Sequence, residues 1–288
     1  MIEFVNAKIN IGLHITRRRP DGYHDLETVF YPIGRRNGTP GNPDAFCDIL
    51  EILPIDSQED KYEWKGRKIE CSGDSNLVVK AVRAFRAAVP DIKGGFSVTL
   101  EKHIPDGAGL GGGSADASFT LRMLNELTGK PLNDSRLREI ALTLGADCPV
   151  FVDNRVAYAE GVGERLEPME ERLSGMWCAV VKPDVYVSTK EAFAGVTPRD
   201  GRISLKEAYL GPVERWRELI VNDFEASIFP GHPELATIKK SLYDSGAVYA
   251  SMSGSGSSLY GIFDSEEACR KALERDEFRG MSRYCIEL

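Results

Sequence analysis

Between residues 105 and 115 the chain reads Pro-Asp-Gly-Ala-Gly-Leu-Gly-Gly-Gly-Ser-Ala, and no other stretch limits its folding options as strongly. Before it, Gly95-Phe-Ser-Val-Thr-Leu100 has the β-branched and apolar character of a strand. After it, the spacing predicts a helix from about Ser114 to Leu127, with Ala117, Leu121 and Leu124 inward and Gly129 at its end. A strand that passes through glycines into a helix leaves unpaired N–H groups at the helix start, where the helix dipole is positive. Glycines let an anion approach that backbone closely, so the segment is suited to cradling phosphate.

Neighbouring residues narrow the type of loop. No Gly-Lys-Ser or Gly-Lys-Thr follows the glycines, which excludes a Walker A loop. Gly107-Ala-Gly109-Leu-Gly111-Gly112 satisfies G-x-G-x-x-G, but a dinucleotide site also wants an acidic residue about 20 positions on, at the end of the next strand. The nearest, Glu126, falls inside the predicted helix. The His-Arg-Asp and Asp-Phe-Gly marks of protein kinases are absent, and so is the Gly-x-Ser-x-Gly elbow of serine hydrolases.

Elsewhere strands and helices interleave. Asp48–Leu53 and Met176–Val181 read as strands, and Ser75 or Asn76 caps a helix carrying Val78, Ala81, Val82, Phe85 and Val89, stopped by Pro90. A helix from Asn133 or Asp134 places Leu137, Ile140, Ala141 and Leu144 on one face. Further helices are predicted over Glu214–Val221 and Glu234–Asp244, and one capped by Ser265 runs to Glu274. Strands at Val248–Ala250 and Ser258–Phe263 flank a Ser/Gly loop, and Tyr284–Glu287 closes the sheet. This mixture is α+β rather than a purely parallel α/β sheet. The 288 residues match about two domains of roughly 100–200 residues, divided here as 1–165 and 166–288 across a soft boundary near 155–175.

Composition excludes several functions. Thirty-six Lys and Arg against 44 Asp and Glu leave a formal charge of −8, which gives no general attraction to nucleic acid. No apolar run approaches the ~18 residues of a membrane span, and Met-Ile-Glu-Phe-Val-Asn is no signal peptide, so the expected location is the cytoplasm. The six cysteines and four histidines are scattered without C-x-x-C or H-E-x-x-H, which argues against structural zinc and for free thiols as apolar filler.

Three segments together carry a resemblance. The 105–115 run resembles the central motif of the GHMP small-molecule kinases, Asn6-Ala-Lys-Ile-Asn-Ile-Gly-Leu13 resembles their first motif, and Ser251-Met-Ser-Gly-Ser-Gly-Ser257 their third. All three occur in order across nearly the whole chain. The resemblance implies a two-domain α+β kinase: an N-terminal domain like domain 2 of ribosomal protein S5, a C-terminal ferredoxin-like domain, and ligands in the cleft between them. Arg19–Thr28, Leu144–Phe151 and Ala159–Glu164 are similar to one branch of the family. That branch phosphorylates, with ATP, the 2-hydroxyl of a methylerythritol bearing cytidine diphosphate, in isoprenoid biosynthesis.

The resemblance carries Lys8 and Asp147 over as the catalytic pair. An alcohol is a weak nucleophile, and a carboxylate in reach can accept its proton while an ammonium steadies charge on the reacting oxygens. It assigns ATP to Pro105, Asp106, Gly107, Ala108, Gly109, Leu110, Gly111, Gly112, Gly113, Ser114 and Ala115. It assigns the cytidyl substrate to Asn10, Tyr23, His24, Phe193, Gly254 and Ser255, with Tyr186 in reserve for Phe193. An aromatic face suits a pyrimidine, and a histidine offers a donor and an acceptor to its edge. Mg²⁺ is implied with ATP; its protein ligands stay open, with Ser114 a candidate. Arg17-Arg18-Arg19 is either a solvated basic run or a local attraction for the substrate's phosphates. A small-molecule substrate and a monomer or weak homodimer are expected. Sister kinases acting on homoserine or mevalonate are the rivals, and Tyr23-His24 argues against them because those substrates carry no base. A non-catalytic nucleotide binder would need no proton acceptor at Asp147. Gly34–Ala45, rich in Gly, Pro and Asn, departs from the family pattern and reads as an exposed hairpin extension.

Overall fold

The computed structural model describes residues 1–34, 46–69, 73–198 and 202–288. Strands β1 (Ile2–Arg18), β2 (His24–Ile33), β3 (Cys47–Ile55) and β4 (Lys61–Gly66) lead to helix α1 (Leu77–Ala88) and strand β5 (Gly95–Lys102). Helices α2 (Gly112–Leu127), α3 (Asp134–Leu144) and α4 (Cys148–Asp153) follow, then β6 (Ala157–Gly161) and β7 (Arg165–Pro168). The second half runs β8 (Trp177–Lys182), α5 (Thr189–Ala194), α6 (Leu205–Leu210), α7 (Trp216–Leu219), α8 (Asp223–Ile228) and α9 (Pro233–Asp244). It ends with β9 (Tyr249–Met252), β10 (Leu259–Phe263), α10 (Glu266–Leu273) and β11 (Ser282–Glu287).

One sheet has the order β4-β5-β3-β1-β2-β6-β7 and is antiparallel except where β4 meets β5. The other, β11-β8-β10-β9, is antiparallel throughout. With α9 ahead of β9 and α10 between β10 and β11, it forms the split β-α-β-β-α-β arrangement of ferredoxin-like domains. Because β7 belongs to the first sheet, a division after residue 165 would cut a strand. We place the change of sheet in the stretch 169–176.

Alternation along the strands builds two apolar layers from the second sheet. Cys178 and Val180 of β8 and Tyr260 and Ile262 of β10 pack with Ala7, Ile9 and Ile11 of β1. Their neighbours Ala179, Val181, Leu259 and Phe263 pack instead with Leu235 and Ile238 of α9 and Cys269 and Ala272 of α10. The two sheets therefore share a core across β1. The opposite parity of β1 carries Asn6, Lys8 and Asn10, all buried polar residues.

Local signals explain most boundaries. Asn76 rather than Ser75 caps α1, accepting from the Val78 N–H at 2.8 Å, and Asn133 caps α3, accepting from the Arg136 N–H at 2.9 Å. Ser265 caps α10 as expected. Ser114 does not cap α2. The helix starts at Gly112 behind Gly111, whose φ of 71° is a left-handed conformation that glycine adopts without strain. The helix expected over Glu214–Val221 shrinks to a 3₁₀ turn at Val213–Arg215 and the single turn α7, because Ile220 is extended and Leu13 N–H donates to the Val221 carbonyl. Apart from Gly34, the 34–45 extension lies outside the described residues, as does Cys71. The remaining cysteines are buried thiols outside any disulfide, and burial pushes the Cys148 thiol up to about 11. Among the described residues no helix is long and apolar enough to cross a membrane.

Candidate active site

The parity of β1 that sends Ile9 into the core turns Lys8 and Asn10 together toward the glycine run. The Lys8 ammonium is 2 % exposed as a residue and spends its donors on three partners. It donates to Asn10 Oδ1 at 2.5 Å and to the Gly109 carbonyl at 2.9 Å, and it lies 3.3 Å from Asp147 Oδ2. Asn10 in turn donates from Nδ2 to Thr28 Oγ1 at 3.0 Å, and Thr28 donates to the Gly12 carbonyl at 2.7 Å. Both ends of the Asn10 amide are thus engaged within the protein, and Asn10 orients Lys8.

Asp147 closes the short connection after α3 and stands at the N-cap of α4, making no side-chain cap bond. Its side chain is 37 % exposed, so its carboxylate is open to a ligand while Lys8 beside it is not. The phosphate loop meets the Ser/Gly loop between β9 and β10 directly. Ser253 Oγ donates to the Gly109 carbonyl at 2.8 Å, and Ser258 N–H donates to the Ala108 carbonyl at 3.2 Å. At Gly109, with φ 74°, a β-carbon would lie 2.0 Å from the Ser253 carbonyl oxygen, so only glycine permits this approach.

Two cavities meet at this junction. One, of about 350 Å³, is lined by Pro105 to Gly109, Gly111 to Ser114, Leu77, Asp147 and Ser255. The other, of about 320 Å³, is lined by Lys8, Asn10, Thr28, Gly109, Ser114, Asp147, Phe193, Phe224, Gly254 and Ser255. Gly109, Ser114, Asp147 and Ser255 border both. A third cavity of about 330 Å³, with Ile69, Leu77, Val78 and Leu100 in its wall, adjoins the phosphate loop at Asp106, Gly107 and Gly113.

Not every expected residue faces these spaces. Leu110 of the loop and Ala115 in the first turn of α2 face the core instead, 1 % and 0 % exposed. Leu110 still serves through its carbonyl, which accepts from Lys8 N–H at 2.9 Å. The His24 ring stacks on Phe193 with centroids 4.9 Å apart and 22° between planes, and Phe193 meets Phe224 edge-on. Tyr23 is 66 % exposed and lines neither cavity. Tyr186 lies over Gly107, away from His24 and Phe193.

Beneath the loop is a cluster that sequence alone did not single out, since its members are 14 to 68 positions apart. Lys102 Nζ donates to Asp116 Oδ2 at 2.7 Å and to Asp48 Oδ2, and Asp48 Oδ1 accepts from the His103 and Ile104 N–H groups. Burial, then the nearby Asp48 charge, pushes the Asp116 carboxyl well above the usual carboxylate range. Burial pulls the Lys102 ammonium down, but the Asp116 and Asp48 carboxylates outweigh it and raise it. This cluster anchors the end of β5 to the first turns of α2 and so fixes both ends of the phosphate loop.

A glycine-rich loop at a helix start, joined to a lysine–carboxylate pair where two cavities meet, defines a small-molecule kinase of the GHMP class. Accordingly, the profile for the GHMP kinases N terminal domain matches residues 76–154, and that for GHMP kinases C terminal matches residues 204–278. A relative from Bacteroides thetaiotaomicron, a 4-diphosphocytidyl-2-C-methyl-D-erythritol kinase, is 48% identical over 92% of this chain and 93% of its own. A kinase of the same name from Porphyromonas gingivalis is 43% identical over 98% and 99%. A crystal structure of a 4-(cytidine 5'-diphospho)-2C-methyl-D-erythritol kinase superposes with a TM-score of 0.81 at 32% identity, covering 100% of both chains. A homoserine kinase from Cytophaga hutchinsonii, at 17% identity and a TM-score of 0.68, shares the fold, with 99% of this chain and 95% of its own covered. The chain belongs to the 4-diphosphocytidyl-2-C-methyl-D-erythritol kinase family.

Proposed function

We propose that this protein transfers the γ-phosphoryl group of ATP to the 2-hydroxyl of 4-diphosphocytidyl-2-C-methyl-D-erythritol, a step of isoprenoid biosynthesis. The observation that carries the reading is the Lys8–Asp147 pair, 3.3 Å apart at the junction of the two cavities. The triphosphate is assigned to the glycine loop and the N-terminus of α2, and its base to the apolar cavity beside Leu77 and Leu100. The alcohol occupies the second cavity, with its cytosine on the Phe193 and His24 rings. Tyr23 supplies the opposite face of the base from its exposed position.

In this reading Asp147 accepts the hydroxyl proton as the oxygen attacks, and Lys8, held by Asn10 and Gly109, faces the charge that builds on the transferring group. Gly254 and Ser255 bring backbone close to the substrate's phosphates. Among the described residues no group of three His, Cys, Asp or Glu is arranged to hold a metal. The hydroxyl oxygen of Ser114 at the shared wall does suit Mg²⁺, which takes one or two protein oxygens and the rest from phosphate and water. Bound with ATP, Mg²⁺ neutralises phosphate charge. We place the enzyme in the cytoplasm as a monomer or weak homodimer.

A coupled ADP-release assay with Mg-ATP tests this by comparing the cytidyl alcohol with homoserine and mevalonate. Turnover with the cytidyl compound alone is expected. Turnover with another alcohol would remove the base-stacking residues from the site, and no ADP from any acceptor would leave a nucleotide-binding protein.

A further inference from the structure

Tyr186 is 69 % exposed to solvent, yet the backbone just before it is held. The segment after β8 is pinned at Val185, whose carbonyl accepts from Lys182 Nζ at 3.1 Å and from the Ser257 hydroxyl. Lys182 also donates to the Pro183 carbonyl at 2.6 Å. The turn that presents Tyr186 is therefore tied both to β8 and to the Ser/Gly loop that touches the phosphate loop.

The ring lies over the phosphate loop itself. A β-carbon on Gly107 would be 3.4 Å from the Tyr186 ring at Cε2 and 3.6 Å at Cδ2, an ordinary contact distance. The ring borders the phosphate-loop cavity on one side. On the other it borders a cavity of about 520 Å³ that holds Arg67, Lys68 and Lys182 against Asp106 and Asp184, a net positive wall on an acidic protein. It does not border the cavity of Lys8, Asn10 and Phe193.

We infer that Tyr186 contacts the phosphoryl donor, packing its ring face against the ribose of ATP where the nucleotide crosses Gly107. This rests on the assignment of ATP to the glycine loop. The ring excludes water from the outer side of the loop, and the cations behind it favour the anionic end of the nucleotide. The face of the ring, not its hydroxyl, makes the contact.

Steady-state kinetics of Tyr186→Ala and Tyr186→Phe separate this role from an acceptor role. Losing the apolar burial of one aromatic face costs about tenfold in affinity, so Tyr186→Ala should raise KM for ATP about tenfold. KM for the cytidyl alcohol and kcat should stay within about twofold, and Tyr186→Phe should restore the wild-type KM. An unchanged KM for ATP would overturn the inference, and so would a rise confined to the cytidyl alcohol. Calorimetric binding of a non-hydrolysable ATP analogue without acceptor gives a readout independent of turnover. If the wild-type protein bound the analogue but phosphorylated none of the alcohols, the acceptor assignment would fall. Weaker binding by Tyr186→Ala would then still support the inference, and equal binding would sink it.

Discussion

Replacing Asp147 by Asn removes the proton acceptor, and with it the anionic partner 3.3 Å from the Lys8 ammonium, while keeping the side chain's size. The Lys8 ammonium keeps its bonds to Asn10 Oδ1 and the Gly109 carbonyl, so the buried cation remains held. Asp147 itself is 37 % exposed and makes no capping bond to α4. Lys8 is buried but keeps two neutral acceptors, and Asp147 is partly solvated, so the variant should fold with a modestly lowered denaturation midpoint. Its chemistry should not survive as well. A positioned general base accelerates a step by roughly 10²–10⁴-fold, about 3–5.5 kcal/mol of barrier. Single-turnover quench experiments with saturating Mg-ATP and the cytidyl alcohol should show that loss in the chemical step, while KM for ATP stays within about threefold. A folded Asp147→Asn protein that retained more than about a tenth of the wild-type rate would refute the assignment of the proton to Asp147.

Phe193→Ala, which strips the ring stacked on His24, should raise KM for the cytidyl alcohol by roughly three- to tenfold and leave kcat nearly unchanged; a kcat effect alone would contradict the stacking role. Gly109→Ala forces a β-carbon against the Ser253 carbonyl at a φ of 74°, so melting curves should show a loss of roughly 1–3 kcal/mol or more, with the pairing of the two glycine loops broken. Lys102→Met leaves the Asp48 and Asp116 carboxyls without the cation they share and should cost about 3–5 kcal/mol by chemical denaturation, whereas Asp116→Asn, which keeps an oxygen facing Lys102, should cost less. His14 is lowered from 6.5 to about 4, chiefly by burial and then by Arg202, with Asp223 pulling the other way. Between those values the unfolded chain binds a proton that the folded chain refuses, so stability present above pH 6.5 is lost as pH falls toward 4. The loss is about 3 kcal/mol, and chemical denaturation of His14→Leu across that range should lack this slope.

The legible parts of this protein were those where one local rule settles the structure. Asn76 and Ser265 advertise helix starts, and the continuous apolar run Met176–Val181 marks a buried strand. Gly107 to Gly113 announced a phosphate loop without any partner being known. What stayed hidden depends on contacts far along the chain. In β1, Val5, Ala7, Ile9 and Ile11 alternate with Asn6, Lys8 and Asn10 as in a half-buried strand, but that the polar face is buried as well is explained only by Thr28, Gly109 and Asp147 opposite it. The Asp48–Lys102–Asp116 cluster has no spacing that periodicity could detect. Tyr186 and Phe193 lie seven positions apart and looked interchangeable, yet the intervening turn and α5 carry them to different cavities.

The central claim is that the cytidyl end is held on the Phe193 side while Asp147 meets one particular hydroxyl. Determining which carbon of the product carries the new phosphate, by phosphorus–carbon coupling in NMR, tests it most directly. The account predicts a phosphomonoester at the 2-hydroxyl of the methylerythritol with the cytidine diphosphate intact. A phosphate on the cytidine ribose, or ADP released with inorganic phosphate alone, would contradict it.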